Sequence, residues 1–184
     1  MRRQPPNPGT TVRRMKPIGE NEIRASFINC SKGEARKLHL PRGLADLPWD
    51  DLDFLGWRDP GAPDRGYLVA ERGDGLIGVS LRVSAEVRRS MVKTTVCSVC
   101  LTSHAGSGVS LFVARRAGAA GRDGNTVGTY ICGDLACPLY VRGKKKNPLA
   151  TRYTESLTLE EQVDRMRGNL NTFLDQVAEE RLSA

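Results

Sequence analysis

Apolar positions along this chain follow a different period in each stretch. Near the C-terminus Leu159, Val163, Met166, Leu170, Phe173 and Val177 recur at steps of three and four with charged residues between them. That is the spacing of an amphipathic helix whose stripe packs back on the core. Thr158 followed by Glu161 forms a capping box at its start, and Gly168 weakens it by about 1 kcal/mol relative to alanine. In the middle of the chain Ile77, Val79, Leu81 and Val83 alternate with smaller or polar residues, which predicts a strand buried on one face. Residues 67–70 supply its partner strand, and Arg72-Gly73-Asp74-Gly75 the hairpin turn. Upstream, residues 20–28 read as a short helix with Ile23 and Phe27 on one face. Ser31 with Glu34 caps a second helix that runs to Leu38 and is stopped by Pro41. Residues 47–52 predict a third helical turn, 54–57 follow with no element assigned, and 59–64 read as a loop. Trp49 and Trp57 are expected as core or interface anchors, core first, and Cys30 and His39 as structural or incidental. Residues 1–15 combine prolines and arginines without periodicity and predict a disordered basic extension.

A second hairpin is predicted between strands at 109–116 and 126–131, joined by a loose glycine-rich turn over 118–125. Its flanks carry the chemistry. Cys97 and Cys100 stand as C-x2-C, thirty-one residues follow, and Cys132 and Cys137 stand as C-x4-C. Structural zinc takes four ligands in a tetrahedron, each thiolate at roughly 2.3 Å. A single Cys-x-x-Cys leaves disulfide redox chemistry open; a second pair beyond a hairpin tips the reading to one structural Zn2+. Knuckle, hairpin, then a short helix bearing the last ligand is the treble-clef order. His104, four residues after Cys100, is a rival ligand; otherwise it is placed near the lobe surface. A closed four-thiolate site has no open position for water, which argues against a zinc hydrolase. With only His39 and His104 as histidines, and no loop with the lysine and spacing of a P-loop, no catalytic residue is assigned and the chain is read as non-enzymatic.

Charge sharpens this picture more than composition does. The chain has 184 residues, a hydrophobic fraction of 39%, an aromatic fraction of 5% and a net charge of +7. A metal-bound lobe suits so small an apolar supply. Between Arg88 and Arg152 eleven Lys/Arg face two acids, giving +9, while everything outside that window nets −2. A basic lobe on a near-neutral body fits RNA, a ribosome or an acidic protein face, with a basic surface kept for solubility as the alternative. No run approaches the roughly 20 apolar residues of a membrane span. Five cysteines with no export-like N-terminus point to the cytoplasm, where thiols stay reduced.

The run SVCLTSHAGSGVSLFVARRAGAAGRDGNTVGTYICGDLACPLYVRGKKK resembles the treble-clef zinc finger of the elongation factor G-binding proteins, the fusidic-acid-resistance type. The runs EIRASFINCSKGEARKLHLP and PWDDLDFLGWRDPGAPDRGYLV are similar to that family's actinobacterial FBP-domain members. The likeness covers most of residues 16 to 182. It implies Cys97, Cys100, Cys132 and Cys137 as zinc ligands, and a lobe that binds elongation factor G and helps free it from a stalled ribosome. The chain is shorter than the staphylococcal resistance proteins, so factor binding carries over further than drug resistance.

Side chains expected to meet a partner are Phe112, Tyr130 and Tyr140, each of which can equally be core. Arg115, Arg116 and Arg142 are expected to contribute as forked donors, with only one of the Arg115–Arg116 pair on a given face. Lys144, Lys145 and Lys146 read as a mobile phosphate-tracking stretch, or else as a solvated loop. The fold expected is α+β: a small antiparallel sheet packed by helices, a treble-clef lobe and a long C-terminal helix. Its divisions are a basic extension (1–15), N-terminal helices plus a β-hairpin (16–90), the zinc lobe (91–150) and the C-terminal helix (151–184). A monomer with elongation factor G as partner is expected, with ribosome or rRNA contact possible and no membrane. The competing functions are an RNA- or ribosome-binding zinc protein and a thiol-based redox or zinc-sensing switch.

Overall fold

A computed structural model of the protein describes residues 14–84, 95–146 and 155–179. Its elements in chain order are α1 (Glu20–Ala25), α2 (Lys32–Arg36), β1 (Phe54–Asp59), β2 (Ala62–Arg72), β3 (Gly75–Val83), β4 (Thr95–Val96) and β5 (Ser103–His104). After them come β6 (Val109–Arg115), α3 (Gly118–Arg122), β7 (Thr126–Cys132), α4 (Cys137–Val141) and α5 (Leu159–Ala178). Strands β1-β2-β3-β6-β7 form one antiparallel sheet in that order, and β4 and β5 make a separate two-stranded ribbon.

The two predicted hairpins are therefore neighbours in a single sheet. They join through a short seam in which Arg82 faces Val113 and Val83 faces Phe112. One face of the sheet presents Phe54, Leu68, Ile77, Val79, Leu81 and Phe112 to the stripe of α5. The other presents Leu55, Trp57, Tyr67 and Val69 to the N-terminal segment around Ile23 and Leu38. Both tryptophans are anchored as well as buried: Trp57 Nε1 donates to the His39 carbonyl at 2.9 Å, and Trp49 Nε1 to that of Leu44 at 3.1 Å.

Caps set the helix ends. Thr158 Oγ1 accepts from the Glu161 N–H at 3.3 Å while Glu161 accepts the Thr158 N–H at 2.7 Å. Ser31 and Glu34 repeat the arrangement at α2. On α5, Val163, Met166, Leu170, Phe173 and Val177 are buried together with Leu174, whereas Leu159, at the helix start, is exposed.

Several expectations are corrected. Residues 54–57, left unassigned, belong to edge strand β1; its two faces are buried against different layers, so no period-2 signal survives. Residues 59–64 are not a loop: Pro60-Gly61 make a tight turn and β2 begins at Ala62, with a register shift between Arg58 and Asp59. Both early helices are shorter than expected, ending at Ala25 and Arg36. The loose turn over 118–125 contains α3, which closes onto Arg116; a Cβ at Gly121 would lie 1.8 Å from the Arg116 carbonyl oxygen. Most of the N-terminal extension lies outside the described residues. Its last residue, Met15, is nonetheless buried, and its N–H donates to the Leu52 carbonyl at 3.0 Å. Among the described residues no helix is long and apolar enough to cross a membrane.

Candidate metal centre

The first cysteine pair sits on a knuckle between β4 and β5. Leu101 adopts a left-handed backbone, φ 58°, and its N–H donates to the Cys97 carbonyl at 2.9 Å. The turn is thereby tight enough that the Cys100 N–H reaches Cys97 Sγ at 3.4 Å. β7 delivers Cys132. Leu135, also left-handed at φ 60°, reverses the chain so that Cys137 opens α4.

The four Sγ atoms lie within 4.8 Å of one another, and all four residues are buried. Cys97 and Cys137 are 3.7 Å apart and Cys100 and Cys132 3.5 Å. A tetrahedron with ligand bonds of roughly 2.3 Å has edges of roughly 3.8 Å, so the sulfurs already stand close to zinc spacing. Without a cation the crowded sulfurs hold their protons unevenly. Burial pushes the Cys137 thiol well above its ordinary value, and its hydrogen bond with Cys100 raises Cys132. Cys100 is held low, chiefly by its bond with Cys132. Four thiolates share so small an enclosure only with a cation among them. The residues fit one structural Zn2+.

Around the sulfurs is a supporting layer. Thr102 Oγ1 lies 2.9 Å from Cys100 Sγ and 2.8 Å from His104 Nε2, which is itself 3.3 Å from Cys132 Sγ. His104 is therefore not on the lobe surface: it is 1% exposed, stacks edge-on against Tyr140 at 4.7 Å, and borders the sulfurs without joining their cluster. Bonds of this kind orient ligands and tune the metal. From the other side, Asn169 Nδ2 on α5 donates to the Val99 carbonyl at 3.0 Å and holds the knuckle.

The second pair is fastened to the far strands. Leu135 presses on β1 at Gly56, where a Cβ would stand 2.5 Å from the Leu135 carbonyl oxygen; only glycine admits that approach. Arg58 Nη1 donates to the Gly133 carbonyl at 2.9 Å, with its guanidinium 5.1 Å above the Phe112 ring. Behind α4, Arg142 forks onto Asp53, and Arg167 of α5 reaches the same carboxylate at 3.2 Å.

These contacts reassign several residues expected to meet a partner. Phe112 is fully buried in the core, and Arg142 is taken up by the buried Asp53 carboxylate. Arg116 turns toward α5, donating to the Gln176 carbonyl at 2.5 Å and approaching Glu179 at 3.4 Å. Arg115 points to the opposite side and is exposed. Tyr140 is half-buried, its hydroxyl donating to Asp134 at 3.0 Å. The lysine stretch is partly pinned: Lys144 pairs with Asp51 at 3.4 Å and Lys145 with Asp134 at 2.5 Å. Lys146 is exposed and makes no ion pair among the described residues. Tyr130 keeps an accessible ring, 44% exposed, and its carbonyl accepts the Ser98 N–H at 2.7 Å beside the knuckle. Val96 and Leu101, 51% and 43% exposed, were not foreseen; a β-ribbon edge and a left-handed leucine leave little trace in hydrophobic periodicity.

Residues 22–177 match the family described as FBP C-terminal treble-clef zinc-finger. The chain belongs to this family. No curated protein matches it. Among solved structures, it is similar to the structure of the fusidic acid resistance protein FusC, with a TM-score of 0.55 and 16% identity. The similarity covers 90% of this chain, which spans 60% of that protein's length. At that identity the likeness speaks for the fold alone.

Proposed function

We propose that this protein is a non-enzymatic translation accessory factor of the cytoplasm, which binds elongation factor G through its zinc lobe and promotes the factor's release from the ribosome. Membership of the treble-clef family supports the reading, and one local observation carries it. Val96, Leu101 and Tyr130 are exposed on and beside a knuckle that the zinc centre makes rigid. An apolar anchor held in place before binding loses little entropy when it docks, and aromatic side chains dominate such contacts. Lys146 and the outer faces of Lys144 and Lys145 border the same lobe as a polar rim. Zinc here shapes a surface and does no chemistry.

The test is capture of purified elongation factor G by the zinc-loaded protein after nuclease treatment, over a salt series. Retention by the wild-type protein is expected, with at least a tenfold loss in Tyr130→Ala and Leu101→Ala while bound zinc stays unchanged. A wild-type protein that retains no factor at low salt overturns the proposal. Equal binding by both variants moves the interface off the knuckle.

A further inference from the structure

The sheet face opposite α5 is covered only in part. α1 and α2 roof the Tyr67–Val69 end of β2. Where β3 and β6 part beyond their short seam, a hollow of about 480 Å³ opens beneath α2. Asn29 shapes it: its amide donates to the Ser80 and Arg115 carbonyls at 2.9 and 3.0 Å and accepts the Ser80 N–H at 2.8 Å, stapling the chain before α2 across the gap.

Three arginines from three neighbouring strands line this hollow: Arg65 of β2, Arg82 of β3 and Arg115 of β6. Arg65 and Arg82 are direct cross-strand partners. Like charges in that position destabilise a sheet. All three are exposed, and none takes part in an ion pair among the described residues. Lys37 adds a fourth cation.

The two carboxylates in the wall are engaged elsewhere. Glu34 accepts the Ser31 N–H at 2.8 Å. Asp59 accepts from the Tyr67 hydroxyl and the Gly61 N–H, each at 2.8 Å, and lies 3.0 Å from His39. Four cations against two carboxylates leave the hollow at +2 with His39 neutral. The field is felt locally: the Glu34 carboxyl is lowered first by its Ser31 hydrogen bonds, then by Arg115 and Arg65.

We propose that this arginine row is a binding site for the phosphodiester backbone of single-stranded RNA. Guanidinium forks match phosphate oxygens; the sheet sets Arg65 and Arg82 directly opposite each other, roughly 5 Å apart, and Arg115, two residues beyond Val113, on the diagonal at roughly 7–8 Å, as a row that can follow a chain of phosphates. An acidic protein face is the weaker fit, because such an interface wants an apolar anchor. Of the apolar residues here, Leu38 and Tyr67 are buried and Ala62 and Val113 are small and half-buried. With no Phe, Tyr or Trp ring exposed in the hollow, and the His39 ring held against Asp59 at 3.0 Å, recognition is of backbone and independent of sequence. This surface lies on the side of the sheet away from α5, whereas elongation factor G binding is assigned to the knuckle, so the two proposals stand or fall separately.

Fluorescence anisotropy of the full-length, zinc-loaded protein with a labelled single-stranded RNA of about 12 nucleotides, between roughly 50 and 200 mM salt, tests it. The wild-type protein is expected to bind with a clear negative log–log salt slope. Replacing Arg65, Arg82 and Arg115 together by glutamine should lower affinity at least tenfold. Each single-strand phosphate contact contributes about 0.7 to the slope, so the slope should fall by roughly 2. Gln at Lys144, Lys145 and Lys146 should change it less. Bound zinc and the circular dichroism spectrum report folding. Should the triple variant misfold, Arg82→Gln alone must still lower the slope by about 0.7. The proposal is overturned if the wild-type protein binds no RNA at the lowest salt, or if the arginine variants bind as wild type. Poly-glutamate displacing RNA as well as unlabelled RNA of equal charge also overturns it, in favour of an acidic protein.

Discussion

The two faces of the central sheet are held by different means. The face toward α5 is closed by apolar burial and by zinc. Leu170, Phe173 and Leu174 pack on it, Leu135 presses into the gap at Gly56, and the buried Asp53 carboxylate, shared by Arg142 and the half-buried Arg167, ties α4 and α5 to the start of β1. The opposite face is roofed by two one-turn helices and left open where Arg65, Arg82 and Arg115 stand. Burial and metal ligation stabilise the first face. The second leaves like charges side by side, a stability cost of the kind found at binding sites. Hence the metal reinforces only one face of the sheet, while the other, with its own core under α1 and α2, leaves the arginine row uncovered at its open end.

That contrast breaks most sharply at the metal. Cys132→Ser leaves three thiolates, and zinc affinity in such a lobe is folding free energy. Loss of bound zinc and collapse of the knuckle are expected, the same outcome as chelation of the wild-type protein. A colorimetric zinc assay beside circular dichroism decides the matter, and both unchanged would refute the ligand assignment. Next comes Asp53→Ala, which strands Arg142 and Arg167 near the core with their shared carboxylate gone. Breaking a buried pair from one side costs about 3–5 kcal/mol. A urea midpoint close to wild type would show the cluster to be incidental.

A smaller effect is expected at the seam between the zinc loop and β1. Gly56→Ala drives a methyl into the Leu135 backbone, and overpacking of this kind costs about 1–3 kcal/mol. If zinc retention under a competing chelator also drops in that variant, the two ends of the sheet are coupled; a melting temperature equal to wild type would deny it. The least effect belongs to the open face. Arg82→Gln removes half of a like-charge pair and should leave stability within about 0.5 kcal/mol of wild type, or slightly above it. A marked loss in thermal melting would show that the arginine row supports the fold and is not held free for a ligand.

Much of this was legible along the chain. Thr158 with Glu161 and Ser31 with Glu34 start helices because a capping box is a local chemical event, complete within four residues. The stripe of α5 and the alternation of β3 follow from burying one face. The cysteine spacing announces the metal, since ligand geometry constrains sequence directly. What stayed hidden depends on contacts between distant residues. Edge strand β1 escaped because its two faces are buried against different layers. Phe112 stood equally open as core or contact, and Arg142 looked like a contact residue, until the fold brought a core around one and Asp53 beside the other. Arg65 and Arg82, seventeen positions apart, carry no sign of each other until β2 and β3 pair in register. The sequence by itself determined the elements with their own caps and periods, and the ligands of the metal, because each is satisfied by near neighbours. The tertiary structure alone decided which cations are spent and which are free, because an ion pair depends on distance in space and not on distance along the chain.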